Sequence, residues 1–420
     1  MKDMNDQWSR LPEHELSFLG AAPVIYHCHH FNLFLDQTVD DALGPKLGAQ
    51  LRFAAARDAS YQLLESLIRT SGAETPAERM SLAEGVFAAM GHGRLAIDVD
   101  QGNGSARGEN LHYGRTWFEK YGGNVRRRLP VDTFAAGFIA AAVELAAGLP
   151  RESVIVKEER CIGMRAPHCE FSISRGEAGE YLPAIDRAAT EAAIGETKPT
   201  PGLHEPLIES ITETLRAFLA GVRGDQHGLI QNFGVYITLH LTSYYNRITY
   251  DTISRVLETA PKMLGILESL FRESGHVCVF NTFGGILMSP EWEGAIGELN
   301  PAPGQIVAGC TAIARALNFG RWTIREHIPG QRLVIDTPST YECPYYLTRH
   351  GRSERPSCYF LQGAALAIMQ LAECINWRER PALTQEFYNK LFRTGVTWKV
   401  EQTKCRTMGD RSCEVVVSKP

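Results

Sequence analysis

The sequence has no run of about 18 apolar residues, the length a membrane-crossing helix requires. The nearest approach, 134–149, contains Glu144 and ends at Gly148 and Pro150, so it reads as a buried helix. The first twenty residues have neither an apolar h-region nor a small-residue cleavage pattern, so no secretory signal is expected. No long block of one charge occurs. Lys and Arg number 43 and Asp and Glu 48, well mixed, for a formal net charge of -5. Short basic clusters such as Arg126-Arg127-Arg128 read as a solvated face, and neither a nucleic acid nor a membrane is expected as partner. Also missing are GxxxxGK[ST], HExxH, GxSxG and an EF-hand loop, which removes the common enzyme classes that carry them. Two glycine-rich stretches, Gly91-His92-Gly93-Arg94 and 102–108, lack the strand–GxGxxG–helix order of a dinucleotide site, and the second reads as a flexible hairpin tip.

What is present is a soluble composition, 44% hydrophobic and 22% charged, over 420 residues. That length suggests two or three domains. Ten cysteines are scattered, mostly in the second half, unlike a secreted disulfide framework. A cytoplasmic chain with reduced thiols, serving as core filler or metal ligands, is the better expectation.

The chain also repeats itself, a signal to be sought early. Leu64-Glu65-Ser66-Leu67-Ile68-Arg69-Thr70-Ser71-Gly72 and the nine residues from Leu267 to Gly275 are identical at seven positions. Val24, His29, Thr38 and Asp40 match Val235, His240, Thr249 and Asp251 at one offset. Gly93-Arg94 matches Gly320-Arg321, and Cys161 and Cys169 match Cys405 and Cys413, each pair eight residues apart. Four blocks in one order make two diverged copies, the second with insertions around 276–318 and 375–396. Residues 175–206 are rich in Gly, Pro, Glu and Thr and contain one short helical candidate, 182–194. The expected division is therefore a first domain at 1–180, a linker at 181–206 and a second domain at 207–420.

Hydrophobic spacing predicts, in copy one, a strand or helix start at 24–34, a helix at 51–70 closed by Gly72, and a helix at 81–90. A strand at 94–99, a buried helix at 134–147 and strands at 154–159 and 170–174 follow. Copy two gives the same order, with helices at 249–274 and 359–373 and strands at 322–328, 332–337, 397–404 and 414–418. The fold class is α/β in the α+β sense, each copy an antiparallel sheet packed with helices.

These blocks resemble the 4-vinyl reductase domain family. Its pattern has a Gly-x-Gly-Arg strand entry, a Cys shortly before an aromatic and glycine-rich helix, and then Glu-x-x-Cys-x7-Cys. Here stand Gly91-His92-Gly93-Arg94 and Glu158-Glu159-Arg160-Cys161 with Cys169, then Phe319-Gly320-Arg321, Cys358-Tyr359-Phe360-Leu361-Gln362-Gly363, Cys405 and Cys413. The resemblance covers about 20–180 and 225–420. It implies a small-molecule-binding module that tends to dimerise, similar to the sensor domains of aromatic-responsive bacterial activators, in which a Cys, Glu, Cys, Cys set holds a structural zinc beside an apolar pocket. It thus implies two tandem domains arranged as a pseudo-dimer. Two departures stand out. In copy one Asp132 occupies the place of the early cysteine, and in copy two Gln402 occupies the place of the glutamate, with Glu401 one position off.

Two cysteines flanking a tight turn between antiparallel strands bring both sulfurs to one side, as tetrahedral zinc requires. Asp132, Glu158, Cys161 and Cys169 form the candidate set in copy one, and Cys358, Cys405 and Cys413 in copy two. Buried packing thiols are the plainer alternative. A second candidate is Tyr26-His27-Cys28-His29-His30-Phe31-Asn32. On a strand His27 and His29 share a face; on a helix His27 and His30 do. Either arrangement offers two imidazoles to a zinc or iron ion, with Cys28 nearby and His240 as the counterpart of His29 in copy two. The same histidines could serve as acids and bases, and a histidine-rich strand satisfied by hydrogen bonds is the alternative.

Phe31, Phe34, Tyr113, Trp117 and Tyr245 are candidate pocket residues. Two functions remain open. One is a binding module for an apolar or aromatic small molecule that acts through a partner protein or as a homodimer, since no helix-turn-helix or ATPase motif is visible. The other is a metal-dependent enzyme or biosynthetic accessory protein with His27, His29 and His30 at its site.

Overall fold

The computed structural model describes residues 4–125, 127–393 and 397–419. Arg126 of the basic triplet and 394–396 of the second insertion lie outside the described residues. The chain opens with three strands, β1 (Trp8–Leu11), β2 (Leu16–Leu19) and β3 (Ala22–Cys28). Helices α1 (His29–Leu43), α2 (Pro45–Ser71) and α3 (Pro76–Ala89) follow, then β4 (Leu95–Asp100), β5 (Asn103–Gly108), α4 (His112–Tyr121), α5 (Thr133–Ala147), β6 (Val154–Arg160) and β7 (Cys169–Arg175). Helices α6 (Arg187–Ile194) and α7 (Glu205–Ala220) lead to β8 (Ile230–Asn232), β9 (Val235–Leu241), α8 (Thr242–Thr259) and α9 (Leu264–Cys278). The remainder is α10 (Gly284–Leu287), α11 (Pro290–Ala295), α12 (Pro303–Ala316), β10 (Thr323–Ile328), β11 (Arg332–Thr337), α13 (Glu342–His350), α14 (Tyr359–Cys374), α15 (Gln385–Arg393), β12 (Lys399–Lys404) and β13 (Cys413–Ser418).

The fold is mixed α and β, with three antiparallel sheets among the described residues, packed with helices. Two of the sheets have four strands and the same order, β4-β5-β7-β6 and β10-β11-β13-β12. Each carries a register shift just before its first hairpin cysteine, at Glu158/Arg160 and Gln402/Lys404. The third sheet, β1-β2-β3-β9-β8, joins the halves: β3 pairs antiparallel with β9 from Val24↔Leu241 to Cys28↔Ile237. Among the described residues no helix is long and apolar enough to cross a membrane.

The stretch 102–108 is not a flexible tip. Asn103–Gly108 is strand β5, held between β4 and β7. Glycine stands at 104 because a Cβ there would land on the Asp98 carbonyl oxygen, 2.9 Å from Val99 Cα. The helix expected at 249–274 is two helices, broken at Ala260-Pro261, where proline removes a backbone donor. Gly72 closes α2 in the left-handed conformation, as its position suggested. Its counterpart Gly275 lies inside α9 instead, where a Cβ would come 3.0 Å from Phe360 Cα.

The buried helices α5 and α14 cross α2 and α9 through glycine at the fifth position of each, Gly137 and Gly363. A Cβ on Gly137 would lie 2.6 Å from Phe53 O, and one on Gly363 would land on Arg272 O and 3.0 Å from His276 N. Those atoms are backbone and cannot swing aside. Gly363→Ala is expected to cost about 1–3 kcal/mol or more through overpacking. Urea unfolding measures it, and an unchanged midpoint would mean that the two helices separate freely.

Candidate metal centres and adjoining clefts

The second half gathers four thiols from three places. Cys343 lies in the first turn of α13, Cys358 precedes α14, and Cys405 and Cys413 flank the hairpin turn between β12 and β13. All four are buried. Cys343 Sγ is 3.5 Å from Cys358 Sγ and 3.5 Å from Cys413 Sγ, Cys358 and Cys413 are 3.5 Å apart, and Cys405 Sγ is 3.8 Å from Cys358 Sγ. Four sulfurs at about 2.3 Å from a tetrahedral zinc stand about 3.8 Å apart; Cys343, Cys358 and Cys413 form one group within 4.8 Å of one another, and Cys405 adjoins it through Cys358. The Arg406 N–H donates to Cys413 Sγ at 3.3 Å, and Thr407 Oγ1 lies 3.0 Å from Cys405 Sγ. These contacts orient the sulfurs as outer partners of metal ligands do.

The first half gathers Asp132, Glu158, Cys161 and Cys169, whose donor atoms lie within 4.8 Å of one another and are buried. This is the set expected from the sequence. Cys169 Sγ is 3.4 Å from Asp132 Oδ2, and the Gly114 N–H donates to Asp132 Oδ1 at 3.2 Å. The Asp132 N–H donates to Glu158 Oε2 at 2.9 Å, and Glu158 Oε1 is buried without a partner. The Ile162 N–H donates to Cys169 Sγ at 3.4 Å, repeating the contact at Arg406.

The two clusters use different corners of one frame. Where α13 supplies Cys343, α4 has Gly114, and a Cβ there would come 2.5 Å from Asp132 Oδ2 and 3.4 Å from Cys169 Sγ. Where β6 supplies Glu158, β12 has Gln402, whose side chain instead bonds Gln362 at 3.1 Å and the Lys404 carbonyl at 3.1 Å. Glu401 sits in an exposed pair with Lys399. The glutamate lost from the second half is thus replaced by a thiol from another element. The sequence reading missed Cys343. Its signal was a cysteine at a helix start in a half whose ligand set was one short.

Four acidic donors buried together repel when ionised and hold protons unless a cation replaces them. Burial, then the Cys161 charge, raises the Asp132 carboxyl well above its usual range, and burial, then Asp132, does the same to Glu158. Hydrogen bonding from Cys169 brings the Cys161 thiol down to about 6, and Cys169 is driven up in return. In the second half hydrogen bonding from Cys358 holds Cys405 far below its usual range, while Cys358 rises. Both clusters therefore hold groups ready to exchange protons for a metal ion.

The histidine segment does not converge. The strand β3 ends at Cys28 and α1 begins at His29, so neither a pure strand nor a pure helix periodicity applies. His27 is buried, stacked on Phe31 with ring centroids 3.7 Å apart, and its Nδ1 lies 3.5 Å from Cys278 Sγ. Burial drives its pKa well below 6.5. His29 and His30 stand together at the helix start, centroids 3.9 Å apart. His29 Nδ1 accepts from the Tyr236 N–H at 3.3 Å, and His30 Nδ1 accepts from Lys120 Nζ at 3.0 Å. Burial, then Lys120, lowers His29 to about 4. Among the described residues no group of three metal donors includes His27, Cys28, His29, His30 or His240.

The counterpart of His240 is also corrected: it is His27, not His29. Each lies one residue before the end of its strand. Each also enters the core of the opposite half. His27 meets Phe319, Tyr341 and Phe360, and His240 meets His92, Phe134 and the Tyr113 hydroxyl, 3.2 Å from its Nε2.

Of the expected pocket residues, Tyr113 and Trp117 line one cleft, while Phe31 and Tyr245 fill the core, with the Tyr245 hydroxyl on Asn32 Oδ1 at 2.6 Å. Phe34 is partly buried and packs against the core. That cleft, of about 260 Å³, lies between α1 and α4, and its wall includes Leu33, Asp36, Tyr113, Trp117, Tyr121 and Val131. It borders the donor cluster, since Val131 precedes Asp132. A Cβ on Gly163 in the hairpin turn would lie 3.5 Å from Cys161 Sγ and 3.6 Å from Trp117 Cε3. Burial, against Arg52, raises Asp36 to about 6. A cleft of about 390 Å³ occupies the matching place between α8 and α13.

No protein-family model matches the chain, and no curated protein matches it. The chain is similar to a solved structure, the phenol-responsive sensory domain of the transcription activator PoxR with phenol. The identity is 16%, with 41% of this chain and 87% of that one covered, at a TM-score of 0.35.

Proposed function

We propose that this chain is a small-molecule-binding protein of the 4-vinyl reductase type, built as a tandem pair, 1–180 and 207–420 joined by 181–206, and arranged as a pseudo-dimer through β3 and β9. Each half holds one structural zinc, the first on Asp132, Glu158, Cys161 and Cys169, the second on Cys343, Cys358, Cys405 and Cys413. The ion supplies no step of chemistry; it locks the hairpin to the helix behind it. The observation that carries the binding reading is the first cleft, whose aromatic wall shares the segment Val131-Asp132 with the donor cluster. Its walls are mostly apolar and its one carboxyl, Asp36, is half-buried and raised to about 6, which suits a small neutral aromatic molecule with a hydroxyl group.

The test uses 2-naphthol as probe against the full chain. Trp117→Ala removes one wall and is expected to weaken binding about tenfold, near 1.4 kcal/mol. Titration calorimetry reads it. An affinity unchanged by Trp117→Ala would remove this cleft as the site.

A further inference from the structure

The cleft of the second half occupies the same place as the first but has a different lining. Tyr250, Tyr346 and Tyr359 supply aromatic faces, and Arg352 supplies hydrogen-bond donors at the mouth. Tyr250 and Tyr346 meet edge to face, centroids 4.9 Å apart. The loop that carries Arg352 is anchored to the thiol hairpin. The Ser353 N–H donates to the Thr407 carbonyl at 2.8 Å, and Ser357 Oγ lies 2.7 Å from Thr407 Oγ1. The Tyr250 hydroxyl donates to the Ser357 carbonyl at 3.0 Å. The Arg352 guanidinium lies over the bare face of Gly409, where a Cβ would come 3.2 Å from its Cζ.

The charges are not all engaged. Glu268 accepts from Arg355 at 3.3 Å and from the Tyr359 hydroxyl at 3.2 Å. Glu354 is exposed on the rim. No carboxylate pairs with Arg352 among the described residues. A guanidinium without a partner, beside tyrosine faces, matches a planar ring that carries a carboxylate, because its fork binds two oxygens at once. The first cleft offers no such group: its arginine, Arg127, is already paired with Asp40 at 3.1 Å.

We propose that the second cleft is a separate binding site for an aromatic carboxylate, with Arg352 as its charge partner and Tyr250 and Tyr346 as its walls. The chain then binds two ligands of different charge, one in each half.

The test titrates the full chain with 2-naphthoate, which shares its ring system with 2-naphthol and differs in charge. Arg352→Gln is expected to weaken naphthoate at least tenfold and Arg352→Lys by less, while Trp117→Ala leaves it within twofold. Acetate, a carboxylate without a ring, is expected not to displace it at hundredfold excess. Arg352 is exposed, so its variants are expected to keep the melting temperature of the parent chain. The proposal is overturned if naphthoate does not bind, if Arg352→Gln binds it as the parent does, or if Trp117→Ala abolishes it, which would place it in the first cleft. Naphthol binding insensitive to Trp117→Ala would defeat the reading of the first cleft and leave this one standing.

Discussion

A Cys413→Ser variant is expected to lose one of two metal equivalents and to be destabilised by more than about 4 kcal/mol. Cys413 Sγ stands 3.5 Å from two other thiols, and its backbone begins the strand that pairs with both β11 and β12. Serine cannot supply a thiolate, and the three remaining sulfurs would be left buried with an incomplete shell. Loss of a structural metal belongs to the short group of causes that move stability by more than about 4 kcal/mol. Metal analysis of the purified chain and urea unfolding measure the two effects together. The first-half ion is expected to remain, because none of its donors comes from the second half. An unchanged metal content would contradict the four-thiol centre.

Arg52→Met is expected to cost about 3–5 kcal/mol at pH 8, the range for removing one partner of a buried ion pair. The Arg52 side chain is 1% exposed, donates to Asp40 Oδ1 at 2.6 Å, to the Asp36 carbonyl at 3.1 Å and to Thr133 Oγ1 at 3.2 Å, and ion-pairs with Asp36 Oδ2 at 3.4 Å. It therefore ties α1, α2 and α5 together behind the first cleft. Without it two neighbouring carboxylates stay buried with less compensation. Asp36 already stands at about 6 with Arg52 present, because burial outweighs the guanidinium. Removal of Arg52 lifts that value further above the unfolded one. A carboxyl raised in the folded state binds its proton more tightly there, so the variant regains stability as pH falls through the raised value. The deficit against the parent chain is expected to be largest at pH 8 and smaller at pH 5. Urea midpoints at the two values check it, and a deficit that grows on acidification would reverse the assignment.

Much of this fold was legible because it is written twice. The hairpins around Cys161 and Cys405 were read from their spacing, and the two four-stranded sheets repeat one order. The set Asp132, Glu158, Cys161 and Cys169 was also named from the sequence, since three of its members lie in or beside the hairpin motif. Cys343 was not, because its partners stand 15 and 70 residues away and only the packing of α13 brings them together. The placement of the histidine segment was not legible for a related reason. A strand-to-helix junction between Cys28 and His29 sends neighbouring side chains to unrelated surroundings, and no periodicity within the segment marks that junction. The match of His29 to His240 failed likewise. The sequence match is two residues out of step with the strand ends, Cys28 for β3 and Leu241 for β9, and only the structure places those ends.

The central claim is that the chain holds two zinc ions on unlike donor sets. X-ray absorption at the zinc edge on the full chain, loaded to two equivalents, tests it most directly. The two centres together offer six sulfurs and two carboxylate oxygens. The predicted average per zinc is about three sulfurs near 2.3 Å and one oxygen near 2.0–2.2 Å. Imidazole scattering in the spectrum, or a single equivalent bound by four sulfurs alone, would contradict it.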